Sequence, residues 1–387
     1  MPITSGQRRA CAHAAASGLP FALWHSPHGR GNFTLAVSTG DAVLGPVFGT
    51  GLVPGFVMAP FLTSDATQAW IFPADVLITA DEVRFRGAEG FVERPVTSAQ
   101  SRIAGSDNTD PVMISAPPRD PLLPTSPEEY RARVLRAVEA IRRGSCEKIV
   151  LSRVEPRVIP AGRDLCDLTE ELADVHPHAF TSLASSPSTG TWLTATPEIL
   201  LSTDSKTVRT MALAGTQWPD PAADLAALQW SRKIVDEQAF VAKFIRAAFN
   251  EEGFDDLEET GPYTVQAANL CHLRSDFHAS YRTTDALSDL LRRLHPTSAV
   301  CGMPKSEALD FIIGEEGATR TFYTGYLGPR GFDGETNLYV NLRSARVDAS
   351  NIYLHVGGGI VEASDPELEW QETVEKTKTI ARVLHTA

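Results

Sequence analysis

The stretch GGGIVEASDPELEWQETVEK, from Gly357 to Lys376, decides how we interpret the fold, because it joins a strand end to a charged helix. It follows the alternating run IYLHV, which is typical of a β-strand. Ser364 and Glu367 match the S-x-x-E pattern of a capping box, and Pro366 suits the first turn of a helix. The sequence therefore predicts a strand, a glycine connection and a helix.

Three charged residues of this helix are predicted to share one face. Glu369, Glu372 and Lys376 are spaced i, i+3 and i+7, while Trp370 and Val374 supply apolar positions beside them. One interpretation is a solvated face on which Glu372 and Lys376 form an ion pair worth roughly a few tenths of a kcal/mol. The other is a functional face beside the glycine triplet, whose amides allow an anionic ligand close to the backbone.

Composition places the chain among soluble globular proteins. Its 387 residues are 43% hydrophobic and 21% charged, which is enough for a sizeable core. The formal net charge of −13 opposes binding to phosphate backbones and to anionic lipid surfaces. We therefore expect a small-molecule partner and neither nucleic acid nor membrane.

Cysteine usage and the absence of a signal pattern predict a cytoplasmic protein. The five cysteines are scattered and show no C-x-x-C spacing, so neither a disulfide framework nor a zinc site is expected. The N-terminus lacks an apolar signal segment, and the most apolar stretch, VLGPVFGTGLVPGFVMAPF, is interrupted by glycine and proline. No interface pattern stands out, so a monomer is the expectation and the oligomeric state stays open.

Strands and helices are interspersed along the chain without a strict βαβ rhythm. Residues 1 to about 110 contain the short strand-like runs FTLAVS, GFVMAPF and AWIFPA. The proline-rich stretch PVMISAPPRDPLLPTSPEE follows, and it reads either as a domain linker or as a surface loop within one fold. Further strands are predicted at KIVLSRV, TWLTA, NLYVNLRSARV and IYLHV. This arrangement favours an α+β protein with large sheets.

A helix is predicted to open at Ser126 and to end at Gly144. Its apolar stripe consists of Tyr130, Val134, Ala137, Val138 and Ile141. Other helices are predicted at LQWSRKIVDEQAFVAKFIRAAF, TDALSDLLRRL and SEALDFII.

Three further charged residues are candidates for chemistry, each with an ordinary alternative. Glu237 lies on the apolar stripe of its helix and needs a cation or a metal, and a structural salt bridge meets that need equally. Lys148 begins the strand KIVLSRV, where it is either solvated or directed into a site. Glu198 follows a strand and a Thr-Pro turn, and is either a surface carboxylate or a group projecting into a cleft.

A metal site would bring the acidic residues together. Should Glu237 meet Glu369 and Glu372 in space, three carboxylates would repel one another unless a divalent cation neutralised them. A set of oxygen ligands from few protein groups suits Mg²⁺.

Eight ordered motifs resemble those of the chorismate-utilising enzymes. The family includes isochorismate synthases, anthranilate and aminodeoxychorismate synthases, and salicylate synthases. The resemblance runs from about Cys146 to the C-terminus, whereas residues 1–120 match only weakly. The motifs are EKIVLSR, TATPEILL, MALAGT, DEQ, LHPTSAVCG, FYTGYLG, NLRSARV and GGGIVEASDPELEWQETVEK.

The resemblance implies a role for each matching residue. Glu237 and Glu372 match Mg²⁺ ligands, with Glu369 adjoining them, and the metal would hold the ring carboxylate of chorismate. Arg343 matches the arginine that grips the enolpyruvyl carboxylate. Lys148 resembles the general base of the water-adding members. The remaining matches are Glu198 as general acid at the C4 hydroxyl, and Tyr323, Gly357, Lys376, His272, Ala299 and Thr216 lining the substrate pocket.

Among the family's reactions, the resemblance favours the formation of isochorismate by an isochorismate synthase. In LHPTSAVCG the small Ala299 takes a position where the ammonia-using and salicylate-forming relatives tend to carry threonine. Salicylate synthase, an aminating enzyme and an inactive chorismate-binding module are the alternatives. The pathway served, whether menaquinone, a catecholate siderophore or salicylate, stays open. The chain departs from the family pattern at His355, a position that is often aromatic.

The fold that the family implies is one α+β domain over residues 1–387. Two large stacked antiparallel sheets are flanked by helices, as in anthranilate synthase component I, with the site at one end between them. Residues 1–120 form the variable part of this fold, and residues 146–387 carry the motifs.

Overall fold

The structure, a computed structural model, describes residues 2–27, 32–87, 90–95, 122–217, 228–267, 270–317, 320–349 and 351–384. Within them the helices are α1 (Ser5–Ala16), α2 (Pro127–Arg142), α3 (Leu165–Val175), α4 (Arg232–Glu251), α5 (Thr284–Leu294), α6 (Lys305–Glu316) and α7 (Pro366–Ala381), followed by a 3₁₀ turn at Arg382–Leu384. The first strands are β1 (Phe21–His25), β2 (Thr34–Val37), β3 (Val43–Pro46), β4 (Gly55–Ala59), β5 (Gln68–Pro73), β6 (Val76–Ile78), β7 (Glu82–Gly87) and β8 (Gly90–Pro95). The later strands are β9 (Lys148–Val158), β10 (Phe180–Ser186), β11 (Gly190–Thr196), β12 (Ile199–Thr203), β13 (Thr207–Gln217), β14 (Glu258–Ala267), β15 (Leu270–Ser280), β16 (Gly302–Met303), β17 (Tyr326–Phe332), β18 (Glu335–Val340), β19 (Ser344–Asp348) and β20 (Asn351–Ile360).

Two large antiparallel sheets organise the chain, which confirms the predicted fold class. The first has eleven strands in the order β16-β9-β20-β19-β11-β10-β1-β2-β6-β7-β8. The second has nine strands in the order β14-β15-β13-β12-β18-β17-β4-β5-β3. Strands from residues 21–95 join both sheets, since β1 pairs with β10 and β4 pairs with β17.

An aromatic layer fills the space between the sheets. Successive residues of a strand point to opposite faces. In β1, Trp24 therefore packs between the sheets, while Leu23 packs against the helices on the outside. Across the layer, Phe180 of the first sheet stacks on Tyr339 of the second, with ring centroids 4.0 Å apart.

Helix α2 forms as predicted. Its N-cap is Ser126, whose hydroxyl accepts from the Glu129 amide, and Pro127 occupies the first turn. The buried residues are those of the predicted stripe, namely Tyr130, Val134, Ala137, Val138 and Ile141. This helix packs over β9 and α7 and helps to place both.

The predicted single strand NLYVNLRSARV is wrong. It consists of β18 in the nine-stranded sheet and β19 in the eleven-stranded sheet, with the chain crossing between them at residues 341–343. Asn341 holds the crossing, because its side-chain amide donates to Phe322 O at 2.9 Å and its carbonyl oxygen accepts from Thr194 Oγ1 at 2.8 Å. Arg343 adopts a φ of 46°, a left-handed conformation that a strand would not contain.

The helix start at Ser364 is also wrong by one residue. Asp365 is the N-cap of α7, and its carboxylate accepts from the amides of Glu367 and Leu368 at 2.9 and 3.0 Å. Pro366 takes the first helical position, which needs no N–H donor. Ser364 instead accepts from the Val361 amide, so it closes the turn before the helix.

One expectation concerns a part of the chain that the structure leaves undescribed. Most of the proline-rich stretch lies in residues 96–121, outside the described residues, so the choice between a linker and a loop stays a prediction. The described helices include none that is long and apolar enough to cross a membrane.

Candidate active site

A cavity of about 1070 Å³ opens between the two sheets and is large enough for a small-molecule ligand. Both sheets and helices α4 and α7 contribute to its wall. The predicted site residues with described side chains all line it: Lys148, Glu198, Glu237, His272, Ala299, Tyr323, Arg343, Gly357, Glu369, Glu372 and Lys376. Thr216 lies in β13, but its side chain falls outside the described part of the chain.

Lys148 points into the cavity and is not solvated. Its side chain is 7% exposed, and its Nζ donates to Glu237 Oε1 at 2.9 Å. The strand alternates, because Ile149 and Leu151 pack in the core beneath α2 while Lys148 and Val150 line the cavity. The salt bridge that the sequence left open for Glu237 is thus present, and its partner is the candidate base.

Glu198 is buried, so its alternative as a surface carboxylate is wrong. It lies where the chain crosses from β11 in one sheet to β12 in the other. This crossing is hydrogen-bonded to the one that carries Arg343, through Val340 N to Glu198 O at 3.0 Å and Ala195 N to Arg343 O at 3.0 Å. The two crossings therefore bring Glu198 and Arg343 to the same end of the cavity.

The pKa of Glu198 rises from its ordinary 4.5 to about 8. Burial is the main cause, since it penalises the carboxylate, and the nearby cations of Lys148 and Arg343 oppose the rise. A carboxyl group with this pKa carries its proton at neutral pH and is able to donate it.

The glycine triplet lies inside strand β20, which corrects its prediction as a connection after the strand. Gly357, Gly358 and Gly359 pair with Ser152, Leu151 and Val150 of β9, so the triplet continues the β20–β9 ladder. The glycines are needed because neighbouring side chains and backbone atoms leave no space for a Cβ on this floor of the cavity.

A Cβ at Gly359 would lie 2.8 Å from Lys148 Cε, and one at Gly357 would lie 2.5 Å from Leu151 O. The Cβ at Gly357 would also lie 3.3 Å from Tyr323 Oη. The triplet therefore makes room for the lysine and the tyrosine that face the ligand space. Burial raises the pKa of Tyr323 to about 12, so its hydroxyl stays a donor.

Glu369, Glu372 and Lys376 share one face of α7, as their spacing predicted, and this face lies against the glycine triplet. Lys376 Nζ lies 2.6 Å from Glu372 Oε1 and also donates to Gly357 O at 3.1 Å. Glu369 is only 6% exposed, whereas Trp370 and Val374 are half-buried. The apolar positions predicted for this helix are therefore less buried than its first glutamate.

The three predicted metal ligands line the same cavity without forming a metal cluster among the described residues. A Cβ at Gly358 would lie 3.4 Å from Glu369 Oε2 and 3.8 Å from Glu372 Oε1, and one at Gly359 would lie 3.3 Å from Glu237 Oε1. Within the described residues, no three acidic, histidine or cysteine side chains converge on one point. Carboxylate oxygens are ligands that suit Mg²⁺. In the structure, Glu237 pairs with Lys148 and Glu372 pairs with Lys376.

His272 and Ala299 complete the predicted wall. His272 Nδ1 lies 2.7 Å from Gly215 O and is the donor, since a carbonyl oxygen only accepts. Burial lowers the pKa of His272 to about 4, so the imidazole is neutral. Ala299 is half-buried in the loop before β16 and presents only a methyl group.

Sequence reasoning missed a buried ion pair behind the cavity. Arg320 Nε donates to Glu316 Oε2 at 2.8 Å, and its two Nη atoms donate to Val150 O at 2.6 Å and Val300 O at 2.8 Å. Those carbonyls belong to residues that line the cavity, one in β9 and one in the loop before β16. The pair therefore ties two parts of the wall together, and an i,i+4 Glu-Arg spacing gave no sign of its burial.

His355 is a second residue whose place the sequence did not show. Its ring stacks on Tyr323 with centroids 5.2 Å apart and contacts Trp192 at 5.3 Å. Burial lowers its pKa to about 3, so it packs as a neutral ring. It occupies the often aromatic position as an aromatic side chain would, and it supports the plane of Tyr323.

Comparison with known proteins adds three findings. A sequence model of the family described as chorismate binding enzyme matches residues 90–385. Anthranilate synthase component 1 of Streptomyces coelicolor is 31% identical over a segment that covers 67% of this chain and 52% of that protein. Isochorismate synthase DhbC of Bacillus subtilis is 31% identical over a segment that covers 67% of this chain and 68% of that protein. The matched segment thus spans about half of the first relative. The structure of the menaquinone-specific isochorismate synthase MenF of Escherichia coli superimposes with a TM-score of 0.74 at 21% identity, covering 97% of this chain and 91% of the other.

Proposed function

We propose that this chain, which belongs to the chorismate-binding enzyme family, is an isochorismate synthase. The reaction is an isomerisation that adds water at C2 of chorismate while the C4 hydroxyl leaves. One observation carries the proposal: a buried lysine and a buried carboxyl group with a pKa of about 8 line the same cavity. A binding module has no need for such a pair, whereas a 1,4 transposition needs a base at one end of the diene and an acid at the other.

Lys148 and Glu198 divide the two proton transfers. Lys148, once neutral, takes a proton from the water that attacks C2. Glu198 gives its proton to the hydroxyl that departs from C4, so water leaves and the ring keeps its two double bonds. The pKa of about 8 supports this role, because the acid is loaded at neutral pH.

The substrate carboxylates are assigned to two parts of the cavity. The Arg343 guanidinium presents a planar fork that suits bidentate pairing with the enolpyruvyl carboxylate. Tyr323 and the backbone at Gly357 lie beside it, and Lys376 adds positive charge at the same floor. His272 and Ala299 bound the ring.

Glu237, Glu372 and Glu369 are the residues proposed to hold Mg²⁺. When bound, the metal supplies a positive charge that fixes and neutralises the ring carboxylate. The oxygen-only donor set supports this ion rather than a softer metal.

The cavity suits the small dianion chorismate, and the other partner expectations stay proposals. The five cysteines are all free and buried, which supports a reducing cytoplasm as the compartment. A net charge of −13 opposes nucleic acid as a partner. A monomer is the proposed state.

Product analysis tests the proposed reaction. Purified protein with chorismate and Mg²⁺ is expected to give a reversible mixture of chorismate and isochorismate, without pyruvate or salicylate. Adding an ammonium salt is expected to leave the products unchanged, because Lys148 is placed to deprotonate water. Separation of the mixture by liquid chromatography, starting once from chorismate and once from isochorismate, measures this.

Each other reaction has its own signature in the same experiment. Pyruvate appearing as fast as chorismate disappears would make the protein a salicylate synthase. An aminated product with ammonium would make it an aminating enzyme. If chorismate bound but stayed unchanged, the protein would be a chorismate-binding module.

The metal assignment predicts an effect of Glu372→Gln. The variant is expected to need at least about tenfold more Mg²⁺ for half-maximal activity and to bind the ion correspondingly more weakly in calorimetry, since one anionic ligand is lost. Glu372 is preferred to Glu237 for this test, because changing Glu237 also disturbs the buried Lys148.

Glu375→Gln is the matched control, because it removes the same charge from the same helix. Glu375 also lines the cavity, but it pairs with Lys378 at 2.6 Å and its side chain is 34% exposed against 27% for Glu372. Its variant is expected to keep wild-type Mg²⁺ affinity. Equal Mg²⁺ affinity in the Glu372 variant and the wild type would remove Glu372 from the metal site.

A further inference from the structure

The charged face of α7 continues beyond Lys376 to Thr379. Glu369, Glu372, Lys376 and Thr379 are spaced i, i+3, i+7 and i+10, so all four lie along one side of the helix. Thr379 is 4% exposed, and it lies one turn further along the helix than the groups discussed so far. No family motif draws attention to it.

Thr379 contacts the arginine assigned to the substrate. Arg343 Nη1 donates to Thr379 Oγ1 at 3.1 Å. Among the described residues, Thr379 is the one side chain to which the Arg343 guanidinium donates a hydrogen bond. The guanidinium therefore has one fixed point on the protein.

One fixed point is what a substrate-binding arginine can use. A guanidinium has five N–H donors in a plane. Anchoring one of them at Nη1 sets the orientation of that plane and leaves the other donors for a carboxylate.

Thr379 is itself held in place through its backbone. Its carbonyl oxygen lies 3.0 Å from His176 Nε2, which donates because a carbonyl only accepts. Thr379 is near the end of α7, where carbonyls lack partners within the helix. His176 is 3% exposed, and burial lowers its pKa, so a neutral imidazole fastens the helix end to the residue that follows α3.

We propose that Thr379 is a positioning residue, which orients Arg343 to receive a carboxylate of the substrate. Helix α7 would then set both charged ends of the ligand, with its glutamates toward the metal and its last turn toward the arginine. The inference rests on the assignment of Arg343 under the proposed function. It adds a side chain that acts only through Arg343.

Thr379→Val tests the proposal, because valine keeps the branched shape and removes the hydroxyl. The expected result is an increase of about tenfold in KM for chorismate, with kcat within about threefold of the wild type, since the lost hydrogen bond orders a group that binds the substrate. Thr379→Ser keeps the hydroxyl and is expected to behave like the wild type. Thr379→Ala supplies a second removal should the valine variant fold poorly.

Thr377→Val is the matched control on the same helix. Thr377 is 7% exposed, and its hydroxyl donates to Val374 O at 2.7 Å rather than to Arg343. Its variant should retain the wild-type KM. A KM increase of similar size in the Thr377 and Thr379 variants would show general disturbance of α7 and overturn the proposal.

A double-mutant cycle separates positioning from packing. In an Arg343→Lys background, Thr379→Val is expected to add little, because the group that Thr379 orients is gone. A full tenfold further increase there would overturn the inference. Weak binding of pyruvate, a bare carboxylate, is followed by ligand-observed NMR in the same variants and is expected to fall with Thr379→Val.

The two proposals fail in different ways. Chorismate conversion to another product would end the isochorismate synthase assignment, while the Thr379 effect on KM and on pyruvate binding would still stand. Unchanged KM and unchanged pyruvate binding in Thr379→Val would end the positioning role, whatever product the enzyme makes.

Discussion

Replacing Glu198 by glutamine is expected to lower kcat by about 10²-fold or more, with little change in KM for chorismate. Glutamine has nearly the same shape as the neutral glutamic acid that the cavity holds, yet it has no proton to give to a leaving hydroxyl. The Lys148 and Arg343 side chains that surround the position are unchanged. Steady-state rates with chorismate and saturating Mg²⁺ measure the loss.

The same substitution changes how folding stability depends on pH. Because the pKa of Glu198 is about 8 in the folded protein against an ordinary 4.5, the folded state binds this proton more tightly than the unfolded chain. The stability that this group contributes is complete below about pH 4.5 and is lost as the pH rises through about 8. Glu198→Gln removes that loss. At alkaline pH the variant is therefore expected to be the more stable protein, on the order of a few kcal/mol, since one pKa unit corresponds to about 1.4 kcal/mol.

Thermal unfolding of both proteins between acidic and alkaline pH checks this expectation. The control is Glu362→Gln, because Glu362 is an exposed glutamate at the rim of the same cavity. This variant should keep the wild-type kcat and the wild-type pH dependence of stability. Wild-type activity in Glu198→Gln would exclude Glu198 as the acid. A stability difference that does not grow with pH would show that the carboxyl group is not held neutral.

Local patterns were sufficient for much of the fold. Helix α2 follows from its Ser126 cap and from the spacing of five apolar residues, because helix periodicity and capping involve neighbours within one or two turns. The charged face of α7 follows from the same periodicity. The strands β2, β4 and β5 match the predicted runs FTLAVS, GFVMAPF and AWIFPA between glycine and proline turns, whereas the other five strands of residues 21–95 were not predicted.

Patterns failed where the chain passes between the sheets. The run from Asn337 to Val347 keeps strand-like residues throughout, so no local signal marks the crossing at which Arg343 turns. The glycine triplet looked like a connection because glycine is rare inside strands. Its reason is spatial, since the Lys148 side chain occupies the volume that a Cβ at Gly359 would need.

Residue patterns alone singled out Lys148, Glu198 and Glu237 as candidates with ordinary alternatives, and the family resemblance was needed to place them in one site. Lys148 and Glu237 are 89 residues apart, and their contact is a product of the fold. The same is true of Arg320 with Val150 and of Thr379 with Arg343. Such partners carry no spacing rule, and they appear only when the sheets and α7 are in place.

The ion pair between Lys148 and Glu237 creates two interpretations that a single alanine variant would not separate. Lys148 is either the base of the reaction or the buried cation that keeps Glu237 in position. Both interpretations predict that losing the side chain harms the enzyme. A substitution that preserves the charge but not the proton chemistry is therefore needed.

Lys148→Arg provides that separation and is expected to lower kcat by about 10²- to 10⁴-fold. Arginine keeps a positive charge that can pair with Glu237, but it does not lose its proton in proteins and so cannot accept one from water. Lys148→Met, which removes the charge as well, is expected to lose at least as much activity. Mg²⁺ affinity measured by calorimetry should stay near the wild-type value in Lys148→Arg. Substantial turnover in the arginine variant would mean that Lys148 serves only as the partner of Glu237, and that another group activates the water.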